Sequence, residues 1–213
     1  RRQRQMCIRD SCYTTNKVYG APITVDREHL KDGYAQAIVV NSGNANTCAP
    51  NGVQLAKDTC DIVAKELGIR ADDVLPSSTG VIGQRMSIEP FKTGIPPLCA
   101  ALGKNSEDVA EAIMTTDTRL KEVAVEFTAG GKTCKLGGIA KGSGMIHPNM
   151  ATMLVFITTD CAISPEMLQK ALSADVQNTF NMISVDGDTS TNDMCVVLAL
   201  SLIHISEPTR HAQ

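Results

Sequence analysis

The sequence predicts a mixed α+β domain in which helices and strands form separate layers around a hydrophobic core. Its 213 residues are enough for such a core, and 43% hydrophobic with 20% charged residues is typical of globular proteins. Apolar stretches with strand-like and helix-like spacing are mixed along the chain. They do not alternate in the strict order of a doubly wound parallel sheet, so a layered or sandwich arrangement is expected.

The first half of the chain contains four predicted elements. Residues 35–40 (AQAIVV) form a continuous apolar run that predicts a buried strand. From Gly52 to Leu67 apolar residues recur at helical spacing, and Gly68 supplies the helix stop. A small-residue loop follows over Pro76–Gly83, and a short helix is expected over Ile95–Leu102.

The second half alternates turn signals with apolar runs, and two of its turns have a specific chemistry. Gly130-Gly131 predicts a hairpin, and Ser164-Pro165 predicts a helix start because proline suits the first helical position. The predicted elements are a helix from Ser106 to Ile113, strands over 123–127, 133–136, Met153–Thr158 and Met194–Leu200, and a helix through Leu172.

Charge and composition exclude several classes of partner. Twenty Lys and Arg against 23 Asp and Glu give a net charge of −3, which provides no basic surface for nucleic acid. Aromatic residues are 3% and Trp is absent, so base-stacking platforms are not expected. No run of 18 apolar residues occurs, so a transmembrane helix is not expected either.

The eight cysteines favour reduced thiols in a cytoplasmic protein. They lie far apart and form no CxxC pair, which argues against a structural zinc site. No signal peptide is visible, which argues against a disulfide scaffold. Most of these cysteines are expected to act as small core residues, and no metal site is predicted.

Both ends of the chain look foreign to the domain. Residues 1–11 (RRQRQMCIRDS) and 201–213 (SLIHISEPTRHAQ, counted from Ser201) resemble translated adapter sequence. The domain is therefore expected to occupy residues 12–200. No function is assigned to His204 or His211, since both lie in the second stretch.

Five motifs in a fixed order carry a family resemblance. They are AQAIVVNSGNAN at 35–46, SSTGVIG at 77–83, AIMTTDT at 112–118, KGSGMIHPNMATML at 141–154 and DGDTSTND at 186–193. With these motifs the chain resembles the ornithine acetyltransferase family, self-cleaving enzymes of arginine biosynthesis also called glutamate N-acetyltransferases. The resemblance implies a four-layer αββα sandwich, similar to that of self-processing N-terminal-nucleophile enzymes. It also implies acetyl transfer from N-acetylornithine to glutamate.

Thr152 is the candidate nucleophile. A threonine hydroxyl is a weak nucleophile unless a base lies beside it. Cleavage of the Ala151–Thr152 bond would give Thr152 a free α-amine, and such amines titrate near pH 7.7–8.0 in model peptides. One residue would then hold both nucleophile and base. A β-branched residue that simply begins a strand is the alternative. The resemblance implies autocatalytic cleavage into chains of 151 and 62 residues.

The resemblance implies roles for further residues. Thr79 and Gly80 would form an oxyanion hole, for which a hydroxyl and a closely approaching backbone N–H are suitable donors. Lys141 would contact substrate, where a cation attracts a carboxylate. A threonine after the helix at 106–113 would also contact substrate, with spacing favouring Thr115 and with Thr116 as the alternative.

Other motifs are expected to be structural. Gly137–Gly144 lacks the GK[ST] order of a phosphate loop, so nucleotide binding is rejected. His147 precedes a proline and is expected to be a turn residue. Asp186, Asp188 and Asp193 lack the EF-hand glycine and terminal glutamate, which favours a turn held by Asx hydrogen bonds over a calcium site.

The resemblance also has implications for cofactors, assembly and location, and two alternatives to it remain. It implies no resident cofactor, acetyl-CoA as a possible second acetyl donor, and processed α and β chains that associate as a heterotetramer. It implies a cytoplasmic location, or the mitochondrial matrix for a fungal protein. It also implies a longer second chain that supplies a catalytic glutamate, so this chain alone is expected to be an incomplete enzyme. A self-processing amidohydrolase or aminopeptidase and an uncleaved binding module are the alternatives.

Overall fold

The chain folds into four layers in the order helix, sheet, sheet, helix. The computed structural model describes residues 7–103, 106–146 and 153–204. Its strands are β1 (Cys7–Tyr13), β2 (Tyr34–Ala35), β3 (Ala37–Asn41), β4 (Val74–Ser78), β5 (Lys121–Ala129), β6 (Lys132–Lys141), β7 (Leu154–Ala162) and β8 (Met194–His204). Its helices are α1 (Ala21–His29), α2 (Gly52–Leu67), α3 (Glu89–Ala100), α4 (Ser106–Ala112) and α5 (Pro165–Asn178).

Two sheets form the inner layers. The larger has the strand order β2-β1-β8-β7-β6-β5, and the smaller consists of β3 paired with β4. The β3–β4 and β7–β8 pairs are parallel, whereas the other pairs are antiparallel. Gly130 and Gly131, with φ of 56° and 75°, form the predicted hairpin turn between β5 and β6.

The two-residue period of β7 and β8 assigns their side chains to two different cores. Leu154 and Val196 face the smaller sheet, where they belong to one buried cluster with Leu75 of β4. Val155 and Val197 belong to a second cluster on the opposite face, beneath α5. Both faces are therefore covered, which explains why these strands are apolar almost throughout.

The outer layers are amphipathic helices. Helices α1, α2 and α3 cover the outer face of the smaller sheet, and α2 ends at Gly68 in the left-handed conformation, with φ of 67°. Helix α5 covers the larger sheet with Leu168, Leu172 and Val176. The Ser164 side chain caps α5 by accepting from the Met167 N–H at 3.3 Å. This packing confirms the expected α+β class and the αββα sandwich.

Three details of the predicted elements were wrong. Helix α3 spans Glu89–Ala100 and not 95–102, because Pro90 at its start is compatible with a first helical turn. The strand predicted over 133–136 is longer, since β6 spans Lys132–Lys141 and includes Gly137 and Gly138. Helix α1 was not predicted, since its buried face includes Asp26 and His29 and its apolar stripe is therefore weak.

The chain ends bear on the predicted domain limits. Strand β1 begins at Cys7 and pairs with β8 from Ile8, while β8 extends to His204. Residues 1–6 and 205–213 lie outside the described ranges, so the 12–200 boundary stays a prediction.

None of the described helices is both long and apolar enough to span a membrane. The seven cysteines with described side chains are free thiols.

Candidate active site

An open cleft of about 640 Å³ lies where segments from both sheets meet. The segment after β4 brings Thr79 and Gly80 to it, and the turn after α4 brings Thr115. The end of β6 contributes Lys141, and the loop before β8 contributes residues 190–192. Four of the predicted site residues thus line one cavity, although they are up to 62 positions apart in the chain.

Lys141 links two of these threonines and forms what we call the lysine cluster, Lys141, Thr79 and Thr115. Its side chain is 3% exposed, and its Nζ donates to Thr79 Oγ1 at 3.2 Å and to Thr115 Oγ1 at 2.7 Å. Burial lowers the pKa of Lys141, although nearby Asp117 and Asp193 act in the opposite direction. Because each hydroxyl accepts from the ammonium group, its own hydrogen is directed elsewhere.

Asp117 fixes the backbone on either side of the lysine cluster. Its carboxylate accepts from the Gly142 N–H at 2.8 Å, from the Thr115 N–H at 3.3 Å and from Lys121 Nζ at 2.5 Å. Burial acts to raise the pKa of Asp117, but Lys121 and the two N–H groups together lower it. Asp117 is therefore ionised at neutral pH and holds Thr115 close to the end of β6.

The Thr79–Gly80 turn lies against the segment that follows β3. The Thr79 N–H donates to the Asn41 carbonyl at 2.9 Å, and the Val81 N–H donates to the Gly43 carbonyl at 3.2 Å. Gly80 has a φ of 118°, and a Cβ placed on it would lie 2.3 Å from the Gly43 oxygen. Only glycine fits there. Within the described residues, the Gly80 N–H makes no hydrogen bond.

Asp193 forms a second polar group beside the start of β7. It is fully buried, its Oδ1 accepts from the Met153 N–H at 3.0 Å, and its Oδ2 has no hydrogen-bond partner among the described residues. Burial raises the pKa of Asp193 to about 8, against the opposing effects of the Met153 N–H, the Ser190 hydroxyl and Lys141. The carboxyl group is consequently protonated in a large fraction of molecules at neutral pH.

Asn192 connects this group to the Thr79 turn. Its Nδ2 donates to the carbonyls of Ala45 at 2.6 Å and Ser78 at 2.9 Å, and its Oδ1 accepts from Thr47 Oγ1 at 2.6 Å. Its side chain therefore holds the end of β4, which leads into Thr79 and Gly80, against the segment that follows β3. We call Asp193, Asn192 and Met153 the aspartate cluster.

The predicted residues fall into three groups. Thr79, Gly80, Thr115 and Lys141 are brought together, and their individual roles stay predictions. Thr116 lines the same cleft, but its hydroxyl makes no hydrogen bond to another described residue. The predicted cleavage residues Ala151 and Thr152, and also His147, lie outside the described residues.

Sequence reasoning missed the functional contacts of Asp117, Asn192 and Asp193. No local signal marked Asp193, because an aspartate in a polar loop beside an apolar strand is normally exposed to water. Asp186 accepts from the Met145, Ile146 and Asp188 N–H groups. Over residues 7–103, 106–146 and 153–204, His, Cys, Asp and Glu form no cluster suited to a metal ion.

The chain is similar to one known protein family over nearly its whole length. The model of the ArgJ family matches residues 2–212. The chain belongs to the ArgJ family. An arginine biosynthesis bifunctional protein ArgJ of Caldanaerobacter subterraneus subsp. tengcongensis is 51% identical over 189 residues, which are 88% of this chain and 47% of the relative. A glutamate N-acetyltransferase of Methanocaldococcus jannaschii is 51% identical over 195 residues, 89% of this chain and 48% of the relative.

A solved structure of an ornithine acetyltransferase is also similar to this chain. The ornithine acetyltransferase of Mycobacterium tuberculosis, crystallised in complex with ornithine, matches with a TM-score of 0.56 and 27% identity. The match covers 68% of this chain and 76% of that chain. The present chain spans about half the length of the curated ArgJ relatives that it matches.

Proposed function

We propose that this chain is part of an acetyltransferase that moves the acetyl group of N-acetylornithine to glutamate through an acetyl-Thr152 intermediate. The observation that carries the proposal is the lysine cluster, in which a buried ammonium group orients the Thr79 and Thr115 hydroxyls at the cleft. The Gly80 N–H, which has no hydrogen bond to a described residue, lines the same cleft. The relatives' names, glutamate N-acetyltransferase and ornithine acetyltransferase, supply the substrate class.

The first proposed step is self-cleavage. The Thr152 hydroxyl attacks the Ala151 carbonyl carbon, the C–N bond breaks, and the hydroxyl proton passes to the departing Thr152 nitrogen. The resulting ester is opened by water, which leaves a carboxylate on Ala151 and restores the hydroxyl of Thr152. The released α-amine is then the base that the threonine hydroxyl requires.

Acetyl transfer follows in two half-reactions. The Thr152 hydroxyl attacks the acetyl carbonyl while the α-amine accepts its proton, and the ornithine amine leaves with that proton. The glutamate amine then attacks the acetyl-threonine ester and releases N-acetylglutamate. In both steps the tetrahedral oxyanion would be stabilised by the Thr79 hydroxyl and the Gly80 N–H, because the hydrogen of Thr79 is turned away from Lys141.

The proposed cleavage would leave the two products interlocked. Strands β7 and β8 follow the cleavage bond, yet β7 pairs with β6 and β8 pairs with β1, and both partners precede it. We propose that the chains of 151 and 62 residues stay associated as an αβ pair within a heterotetramer. Co-elution of both chains in gel filtration, at the mass of two αβ pairs, tests this.

Intact-mass measurement of the purified 213-residue chain tests the mechanism. We expect two masses corresponding to residues 1–151 and 152–213, and one uncut mass for Thr152→Ala. An uncut wild-type chain, or equal cleavage in the variant, would contradict the proposal. Because the chain spans about half of its relatives, acetyl transfer is measured after extension to their full length, with N-acetylornithine or acetyl-CoA as donor. Hydrolysis that outpaces transfer to glutamate would favour the amidohydrolase alternative.

A further inference from the structure

Lys141 carries a buried positive charge and donates only to neutral groups within the described residues. It is 3% exposed, and its hydrogen bonds go to the hydroxyls of Thr79 and Thr115. Over the ranges that the structure describes, no carboxylate forms an ion pair with its Nζ. Because a charge in the protein interior is costly unless an opposite charge compensates it, the ammonium group depends on a carboxylate at longer range.

Two carboxyl groups act on Lys141 from neighbouring elements. Asp117 lies in the turn after α4 and Asp193 directly before β8, and both favour the charged form of Lys141, whereas Lys121 of β5 opposes it. Burial raises the pKa of Asp193 to about 8, so this group carries little negative charge at neutral pH. Burial also acts to raise the pKa of Asp117, but its bonds to Lys121 and to two backbone N–H groups lower it. Asp117 is therefore the ionised carboxylate of this pair.

Asp117 also reaches the lysine cluster through the backbone on two sides. Its side chain is 0% exposed, and one of its oxygens accepts from the Gly142 N–H at 2.8 Å and from Lys121 Nζ at 2.5 Å. The other oxygen accepts from the Thr115 N–H at 3.3 Å. Gly142 directly follows Lys141, and Thr115 carries the hydroxyl to which Lys141 donates at 2.7 Å. One carboxylate therefore holds the backbone next to both partners of that bond.

We infer that Asp117, in its ion pair with Lys121, is the positioning residue of the lysine cluster and supplies the negative charge that keeps the buried Lys141 ammonium group protonated. This role rests on the acetyl transfer proposed above. An ammonium group only donates, so it leaves the hydrogens of both threonine hydroxyls to the cleft. A neutral amine would accept a hydrogen bond from one of these hydroxyls, and that hydrogen would no longer be available to a ligand or an oxyanion.

The two residues of the ion pair should act on Lys141 with opposite signs. Asp117→Asn removes the negative charge, so the pKa of Lys141 should fall by about one pH unit, the order expected for the loss of a nearby opposite charge. Lys121→Met removes a positive charge, so the same pKa should rise, by roughly 0.3 pH unit because water and salt screen the partly exposed Lys121. A purely structural role of the ion pair would not give opposite signs.

An NMR titration of the lysine side chains measures this pKa in the uncut 213-residue Thr152→Ala chain. The signal that is missing from Lys141→Met identifies Lys141. Glu126→Gln is the matched control, because it breaks an exposed ion pair with Lys135 between β5 and β6 and should leave the pKa of Lys141 unchanged.

The signs of the two shifts decide the inference. An unchanged pKa of Lys141 in folded Asp117→Asn, or shifts of the same sign in Asp117→Asn and Lys121→Met, would overturn it. If Asp117→Asn does not fold, as judged by circular dichroism, Lys121→Met decides, because it keeps every acceptor of Asp117. A fall or no change of the Lys141 pKa in Lys121→Met would then overturn the inference.

Acetyl transfer gives a second readout after the chain is extended to the length of its relatives. The rate of Asp117→Asn relative to wild type should be about threefold lower at pH 9 than at pH 7, because Lys141 loses its proton at a lower pH in the variant. A relative rate that does not change with pH would contradict the charge role of Asp117. If the extended wild type transfers no acetyl group, the proposed function is refuted, whereas the NMR titration still decides the role of Asp117.

Discussion

The lysine cluster and the aspartate cluster each bury one ionisable group, but they satisfy it differently. Lys141 is 3% exposed and donates to two hydroxyls, while Asp193 is fully buried and has one oxygen without a described partner. Burial shifts the pKa of each group toward its neutral form, because an uncompensated charge in the protein interior is costly. Burial lowers the pKa of Lys141 and raises the pKa of Asp193.

The two clusters also contribute to the site in different ways, one through side chains in the cleft and the other through bonds to the backbone. The lysine cluster presents hydroxyls to an open cleft, as expected of groups that bind a ligand or stabilise charge. The aspartate cluster instead bonds to the backbone at Met153 and, through Asn192, at Ala45 and Ser78. Both clusters border the cleft, but the lysine cluster presents hydroxyls to it, whereas the aspartate cluster mainly bonds to the surrounding backbone.

The largest expected effect concerns the pH dependence of stability. In the folded state Asp193 keeps its proton up to about pH 8, whereas an unfolded aspartate loses it near 3.8. The folded state thus binds more protons between these values, and its stability falls as pH rises through this window. In the uncut Thr152→Ala background, Asp193→Asn should remove a slope of about 1.4 kcal/mol per pH unit in the free energy of unfolding.

Urea unfolding between pH 4.5 and pH 7.5 measures this slope. Asp188→Asn, which replaces an exposed aspartate of the same loop, is the control for losing a carboxyl that stays in water. Lys141 should affect the free energy of unfolding with the opposite sign and at higher pH, so that stability rises with pH. The reason is that the unfolded lysine binds a proton more tightly than the folded one. Identical slopes in Thr152→Ala and Thr152→Ala/Asp193→Asn would show that the two clusters do not differ in this way.

The next largest effect is expected at Gly80, which joins the two clusters. An alanine Cβ would lie 2.3 Å from the Gly43 oxygen at a φ of 118°, so Gly80→Ala should destabilise the fold by at least about 3 kcal/mol. Gly83 has a φ of 80° with open space around its Cβ position, and Gly83→Ala should cost only about 1–2 kcal/mol. Urea unfolding in the Thr152→Ala background gives both values, and equal losses would argue against the close contact.

Replacing Lys141 should separate binding from folding. Lys141→Met keeps the length of the side chain but removes the ammonium group that orients Thr79 and Thr115, so acetyl transfer should fall about 100-fold. The free energy of unfolding should change by less than about 1 kcal/mol, because the desolvation cost of the charge disappears as well. Lys135→Met, on an exposed part of the same strand, should leave transfer unchanged. A parallel loss of stability and transfer would assign Lys141 a structural role.

Most strands and helices were predictable from periodicity, whereas helix α1 was not, and the four-layer arrangement came from the family resemblance. The apolar runs of β7 and β8 indicated buried strands because both of their faces are covered. Helix α1 was not predicted from the sequence because polar Asp26 and His29 share its buried face with Ile23 and Val25. Periodicity detects apolar side chains, so an element that buries polar groups in the interior is missed.

The candidate site was predictable only in part, for a related reason. Thr79, Gly80, Thr115 and Lys141 were identified by resemblance, since a threonine or lysine in a polar loop is usually an ordinary solvated residue. Asp193 was treated as one of three loop carboxyls, because nothing in its local sequence distinguishes it from Asp186 or Asp188. Burial of Asp193 arises from tertiary contacts with β7 and β6, which no local pattern contains.

The smallest expected effect distinguishes Thr115 from Thr116, the alternative left open by spacing. Thr115 Oγ1 accepts from Lys141 Nζ at 2.7 Å, whereas the Thr116 hydroxyl lines the cleft without a bond to a described residue. Thr115→Val should therefore reduce acetyl transfer about tenfold, the loss of roughly one charge-assisted hydrogen bond. Thr116→Val should change it less than twofold. Because valine preserves the shape of threonine, a larger effect of Thr116→Val on transfer would move the substrate contact to Thr116 and remove Thr115 from the lysine cluster's function.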